Sequence, residues 1–118
     1  MQNIVIFGAG KRVRETIIPS IFLNQAFYIK QIITRNSGNK VNIIFNDKEL
    51  SYKTSSLEEL DLININHIYI GINPEEINNI IEFLTSKFET RKIILIIDTP
   101  PIYIKNIFKI KNFSKFKN

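Results

Sequence analysis

The apolar residues of this chain alternate between short continuous runs and stretches of helical spacing. Residues 4–7, IVIF, form a continuous run, as expected for a parallel strand covered on both faces. After it, Val13, Ile17, Ile18, Ile21 and Phe22 recur at helical spacing and describe one buried stripe. Pro19 lacks an amide donor and is expected to kink that helix. Residues 27–34, FYIKQIIT, predict a second strand, followed by the loop RNSGN. VNIIF and ELSYKT are both strand-like, and the turn-prone Asn46, Asp47 and Lys48 between them predict a hairpin. Ser56 with Glu59 is a capping box, so SLEEL is expected to form one short helical turn. Residues 67–72, HIYIGI, predict another buried strand. Asn73, Pro74 and Glu76 then mark a helix start, with Ile77, Ile80, Ile81 and Leu84 as its buried face. Residues 92–97, KIILII, predict a strand cut off by Asp98, Thr99, Pro100 and Pro101. From Ile102 neither period is clean, and a helix reaching Phe113 is expected.

Strands that alternate with helices, each crossing over in the right-handed sense, build an α/β fold. The expectation is a Rossmann-like open parallel sheet with helices on both faces, a hairpin insertion after the second strand, and the sixth strand missing. Residues 1–101 form the dinucleotide-binding domain in this reading, and residues 102–118 a basic C-terminal helix or tail of the same domain. Ligands of such sheets bind at the carboxyl ends of the strands, where GAGKR, TRN, INPE and DTPP meet.

Composition narrows the chemistry. The 118 residues suit one domain, and 44% of them are hydrophobic, heavily isoleucine, which favours a sheet. There is no cysteine, which excludes disulfides and thiolate metal sites and points to a reducing compartment. No apolar run approaches the roughly 20 residues that span a bilayer, so a soluble, cytoplasmic protein without a membrane partner is expected. The net charge of +5 owes much to Lys105, Lys109, Lys111, Lys115 and Lys117. A basic tail of this kind can meet nucleic acid. Phe108, Phe113 and Phe116 serve equally well as core, so a solvated helix face is the preferred reading.

The two glycines of GAGK invite comparison with a phosphate-binding loop. The P-loop needs four residues between its glycines and a Ser or Thr after its lysine, and this chain has one residue and Arg12. The dinucleotide fingerprint fits better. Its first glycine makes the tight turn, its second admits the pyrophosphate, and its third allows close packing of helix on sheet. Gly8 and Gly10 take the first two places and Val13 the third, with Ala9, Lys11 and Arg12 completing the turn at a helix N-terminus that offers unpaired amides. An acidic residue at the end of the second strand would select NAD, whereas Thr34, Arg35 and Asn36 stand here beside Lys11 and Arg12. That cluster favours the 2′-phosphate of NADP over NAD, because guanidinium forks match phosphate oxygens. Ile72, Asn73, Pro74 and Asp98, at the ends of later strands, complete the candidate cofactor site. Asp98 is also the one candidate for proton transfer there, with a turn-forming aspartate as the alternative. His67, opening a strand, reads as structural, and no metal-ligand cluster appears.

These features together resemble the N-terminal domain of the glucose-fructose oxidoreductase, inositol dehydrogenase and MocA-like oxidoreductases. The resemblance rests on IVIFGAGKRVRETIIPSI with its proline in the first helix, on TRN, on TSSLEEL before the fourth strand, and on a fifth strand closing at Thr99 and Pro100. It implies an NADP(H)-binding half of an enzyme that passes hydride between a nicotinamide and a sugar or polyol. The family pattern Glu-Lys-Pro aligns with Asp98, Thr99 and Pro100, so the family lysine is replaced by threonine. The family's second, catalytic domain has no counterpart in this length, and the chain is expected to lack turnover by itself. A homodimer or a separate catalytic chain meeting the edge of the fifth strand would complete it. The alternatives are a subunit of a split NADP-dependent dehydrogenase and a non-catalytic module for nucleotide sensing or protein interaction.

Overall fold

The structure, a computed structural model, describes residues 2–35, 38–61, 63–87, 93–98 and 116–117. Its strands are β1 (Gln2–Phe7), β2 (Phe27–Ile33), β3 (Lys40–Phe45), β4 (Lys48–Ser55), β5 (His67–Ile70), β6 (Ile93–Ile97) and β7 (Phe116–Lys117). They form one sheet in the order β3-β4-β2-β1-β5-β6-β7. Every pairing is parallel except β3 with β4. Without β3 this is the 3-2-1-4-5-6 order of a Rossmann-like sheet. The expected hairpin supplies its outermost strands, turning through Asn46 and Asp47, both at positive φ, so Lys48 already belongs to β4.

Alternate residues of β1 serve two cores. Val5 and Phe7 join Ile68, Ile70, Ile77, Ile81 and Leu84 on the side covered by α2 (Pro74–Lys87). Ile4 and Ile6 join Val13, Ile18, Ile32 and Val41 on the other side. A strand buried on both faces must be apolar at every position, which is why IVIF reads as a continuous run.

The first helical segment, residues 11–23, departs from the expected regular stripe. Val13–Ile17 form a π turn, in which the Ile18 amide donates to the Val13 carbonyl, and α1 (Ile18–Leu23) follows with Pro19 in its first turn. Pro19 cannot donate and its ring crowds the preceding turn, so the chain widens there instead of only kinking. The extra residue rotates everything after it. Val13, Ile18 and Pro19 are buried, whereas Phe22, expected in the stripe, is 40% exposed.

The capping box holds in detail, and the second strand stops one residue short of its expected end. Leu57–Glu59 is a single 3-10 turn, and Glu59 Oε1 accepts from the Ser56 amide at 2.9 Å. β2 ends one residue before Thr34, whose amide donates to the Ser55 carbonyl. Of a sixth parallel strand, the described residues contain only Phe116–Lys117, paired with Ile93 and Ile94. Lys92 and the helix expected from Ile102 to Phe113 lie outside the described residues. Among the described residues no helix is long and apolar enough to cross a membrane.

Candidate functional site

β1 ends in a turn that only glycine can make. Gly8 has φ +109°, and a Cβ built there would stand 2.3 Å from the Gly71 carbonyl oxygen. The Gly8 amide donates to the Ile33 carbonyl and the Gly71 amide to the Phe7 carbonyl, both at 2.9 Å. The turn is therefore clamped between the ends of β2 and β5. Gly10 differs: a Cβ there would meet nothing within 4 Å, because the residue faces open space. Its carbonyl accepts from the Arg14 amide at 3.0 Å, so helical hydrogen bonding starts here, just beyond the end of β1.

Val13, in the place of the third glycine, does not hold the helix away. A Cβ on Gly71 would lie 3.0 Å from Val13 Cγ2 and 2.8 Å from the Tyr69 ring, so the bare backbone of Gly71 receives the valine. The glycine that permits close packing has moved from the helix to the residue just after β5.

Two adjoining cavities lie over the carboxyl ends of the strands. One, of about 920 Å³, is bounded by Thr34, Arg35 and the β3-β4 hairpin; the other, of about 440 Å³, by residues 8–13, Ile72, Asn73 and Asp98. Gly8, Ala9, Arg35, Ile72 and Glu76 line both, so the two make one groove across the switch point beside β1. Gly8, Ala9, Gly10, Lys11, Arg12, Val13, Thr34, Arg35, Ile72, Asn73 and Asp98 are thereby brought together. Pro74 opens α2 and lines neither cavity, and Asn36 lies outside the described residues. Sequence reading missed Arg14, Lys40 and Glu76 on the groove wall. Their signal is weak, since each is an ordinary charged residue, and Lys40 and Glu76 reach the wall only through the folding of the hairpin and α2.

Two ion pairs stand at the groove. Arg12 Nε donates to Asp98 Oδ2 at 2.8 Å, tying the glycine turn to the end of β6. The Asp98 carboxylate holds the Arg12 guanidinium above its ordinary pKa. Tyr69, on β5, is buried close to both, and its hydroxyl finds no hydrogen-bond partner among the described residues. Burial raises its pKa and the Asp98 charge adds to this. Arg35, expected to contact the 2′-phosphate, forms an ion pair with Glu76 of α2. Glu76, in the first turn of α2, thus turns to the end of β2.

His67 sits at the opposite end of the sheet from the groove. It is buried, edge-on to Phe27 with ring centroids 4.8 Å apart, and desolvation lowers its pKa. Among the described residues no group of His, Asp or Glu is placed to hold a metal ion.

The sheet order, the helices on both faces and the glycine turn define a Rossmann-like α/β domain. No protein-family model matches the chain, and no curated protein sequence matches it. Solved structures do share its fold. Aspartate semialdehyde dehydrogenase II from Vibrio cholerae, crystallised with ASA, aligns at TM-score 0.60 and 19% identity, over 99% of this chain and 41% of that one. A second crystal structure of aspartate semialdehyde dehydrogenase II from Vibrio cholerae gives 0.58 and 19%, over 99% and 37%. The chain thus spans well under half the length of these two structures. At this identity the likeness is one of fold. It supports the Rossmann-like architecture and does not carry the sugar-oxidoreductase family that the motifs resemble.

Proposed function

We propose that this chain is an NADP(H)-binding domain of a sugar- or polyol-type oxidoreductase, and that it does not complete hydride transfer by itself. The observation that carries the reading is the groove itself. Residues singled out at separate turns of the sequence line two joined cavities at the strand ends, with the Gly8 turn and a helix start between them. Cavities of this combined size suit a dinucleotide, and the first amides of the helix suit its pyrophosphate. Gly10 leaves room for phosphate to approach the backbone.

Arg35, with Arg14 and Lys40 along the same wall, supplies positive charge where the ribose 2′-phosphate of NADP would lie. A bound nicotinamide cofactor would supply the hydride chemistry. The protein's part is to hold it. The residue available at the strand ends for proton transfer, Asp98, is engaged by Arg12, which favours binding over catalysis. The sugar or polyol substrate class rests on the order of the sequence motifs alone. A second copy or a separate catalytic chain, meeting the sheet beyond β6 where the described residues supply only the two-residue β7, would complete the reaction.

Calorimetric titration of the purified chain with NADPH and NADH tests this reading. Binding of NADPH tighter than NADH, lost for both in Gly10→Val while the fold persists, is the expected result. Normal binding by Gly10→Val would reduce GAGK to a structural turn.

A further inference from the structure

We propose that Glu76 is a specificity-determining residue that competes with the cofactor's 2′-phosphate for Arg35, and so sets how strongly the site prefers NADPH to NADH. The inference rests on the cofactor reading above and adds to it a residue from a different part of the chain. Arg35 leaves the end of β2, and Glu76 rises from the first turn of α2, which follows β5. Their ion pair therefore bridges two strands that lie on opposite sides of β1. Both residues line both cavities, so the pair stands where the two halves of the groove join.

Its exposure makes the pair exchangeable. The Arg35 side chain is 78% exposed and that of Glu76 33%, and ion pairs this open to water contribute little to stability. A phosphate monoester offers nearly twice the charge of a carboxylate and three acceptor oxygens. It can take Arg35 from Glu76, yet it must then lie beside a carboxylate that repels it. An NADH ribose brings no such charge, and its hydroxyls can donate to the same carboxylate. One acidic side chain therefore works against the phosphate and not against the hydroxyl, although the arginine at the end of β2 selects for the phosphate.

Titrating NADPH and NADH into the wild-type chain, Glu76→Gln and the double variant Arg35→Ala/Glu76→Gln tests this, with circular dichroism to confirm that each is folded. Removing the carboxylate is expected to tighten NADPH by about three- to ten-fold and leave NADH within about two-fold or weaker. The gain should vanish in the double variant, because it acts through Arg35. Equal effects on both cofactors, or a gain that survives without Arg35, would overturn the role of Glu76 while leaving the cofactor reading standing. Failure of all three proteins to bind either cofactor would overturn both.

Discussion

Val13 Cγ2 rests against the backbone of Gly71, 3.0 Å from where a Cβ would be, so a helix residue occupies the space that the glycine after β5 leaves open. Both neighbours of that space, Val13 and Tyr69, are buried and cannot move aside cheaply. Gly71→Ala is therefore expected to destabilise the chain by about 1–3 kcal/mol through overpacking. Urea denaturation should show part of the loss recovered in Val13→Ala/Gly71→Ala, which restores room on one side.

The two glycines of the turn should respond in opposite ways. Gly8→Ala places a Cβ 2.3 Å from a carbonyl oxygen at a positive φ, and a stability loss of about 3 kcal/mol or more is expected. A Cβ at Gly10 meets nothing within 4 Å, so the thermal midpoint of Gly10→Val should stay near that of the wild type while cofactor binding is lost. A calorimetric scan beside a cofactor titration separates the two.

Arg35→Ala should weaken NADPH by about ten-fold to a hundred-fold and leave NADH nearly unchanged, since charge-assisted bonds to phosphate are worth roughly 1.5–3 kcal/mol. The wild-type pair with Glu76 moves the result toward the lower figure, because part of the arginine's strength is already in use. Fluorescence titration with both cofactors reads the difference; equal losses would assign Arg35 a role unrelated to the 2′-phosphate.

Stability should fall on mild acidification. Desolvation lowers the His67 pKa below its ordinary 6.5, so over the interval between the lowered value and 6.5 the unfolded chain binds more protons than the folded one. The contribution of neutral His67 is fully present above pH 6.5 and is lost as pH falls through the folded pKa. His67→Phe keeps a ring against Phe27 and removes the titration. Urea midpoints measured across this range should fall less steeply for the variant than for the wild type.

The chain alone should bind cofactor without oxidising sugars or polyols. Asp98 is already bonded to Arg12, and the buried Tyr69 holds its proton more tightly than a free phenol does. Nicotinamide absorbance monitored with a panel of sugars is expected to stay flat. Turnover by the isolated chain would show that a proton-transfer group other than Asp98 serves the site.

Much of this architecture is a local property of the sequence. Strands buried on both faces are apolar over most of their length, so IVIF and the IYI that follows His67 announce themselves as runs. Asn46 and Asp47 tolerate positive φ and mark the hairpin, and the Ser56–Glu59 cap acts within four residues. The glycine turn, the basic cluster around it and the fold class follow from the same short-range rules. Tertiary structure decided what no window can hold. Arg12 and Asp98 meet across 86 positions, and Arg35 finds Glu76 only because α2 starts beside the end of β2. Gly71 answers for the glycine missing at Val13, and the π turn before Pro19 brings Phe22 to the surface. Each of these depends on distances through space between residues remote in the chain, or on how a packed core absorbs one local irregularity, and neither quantity is written in the order of residues.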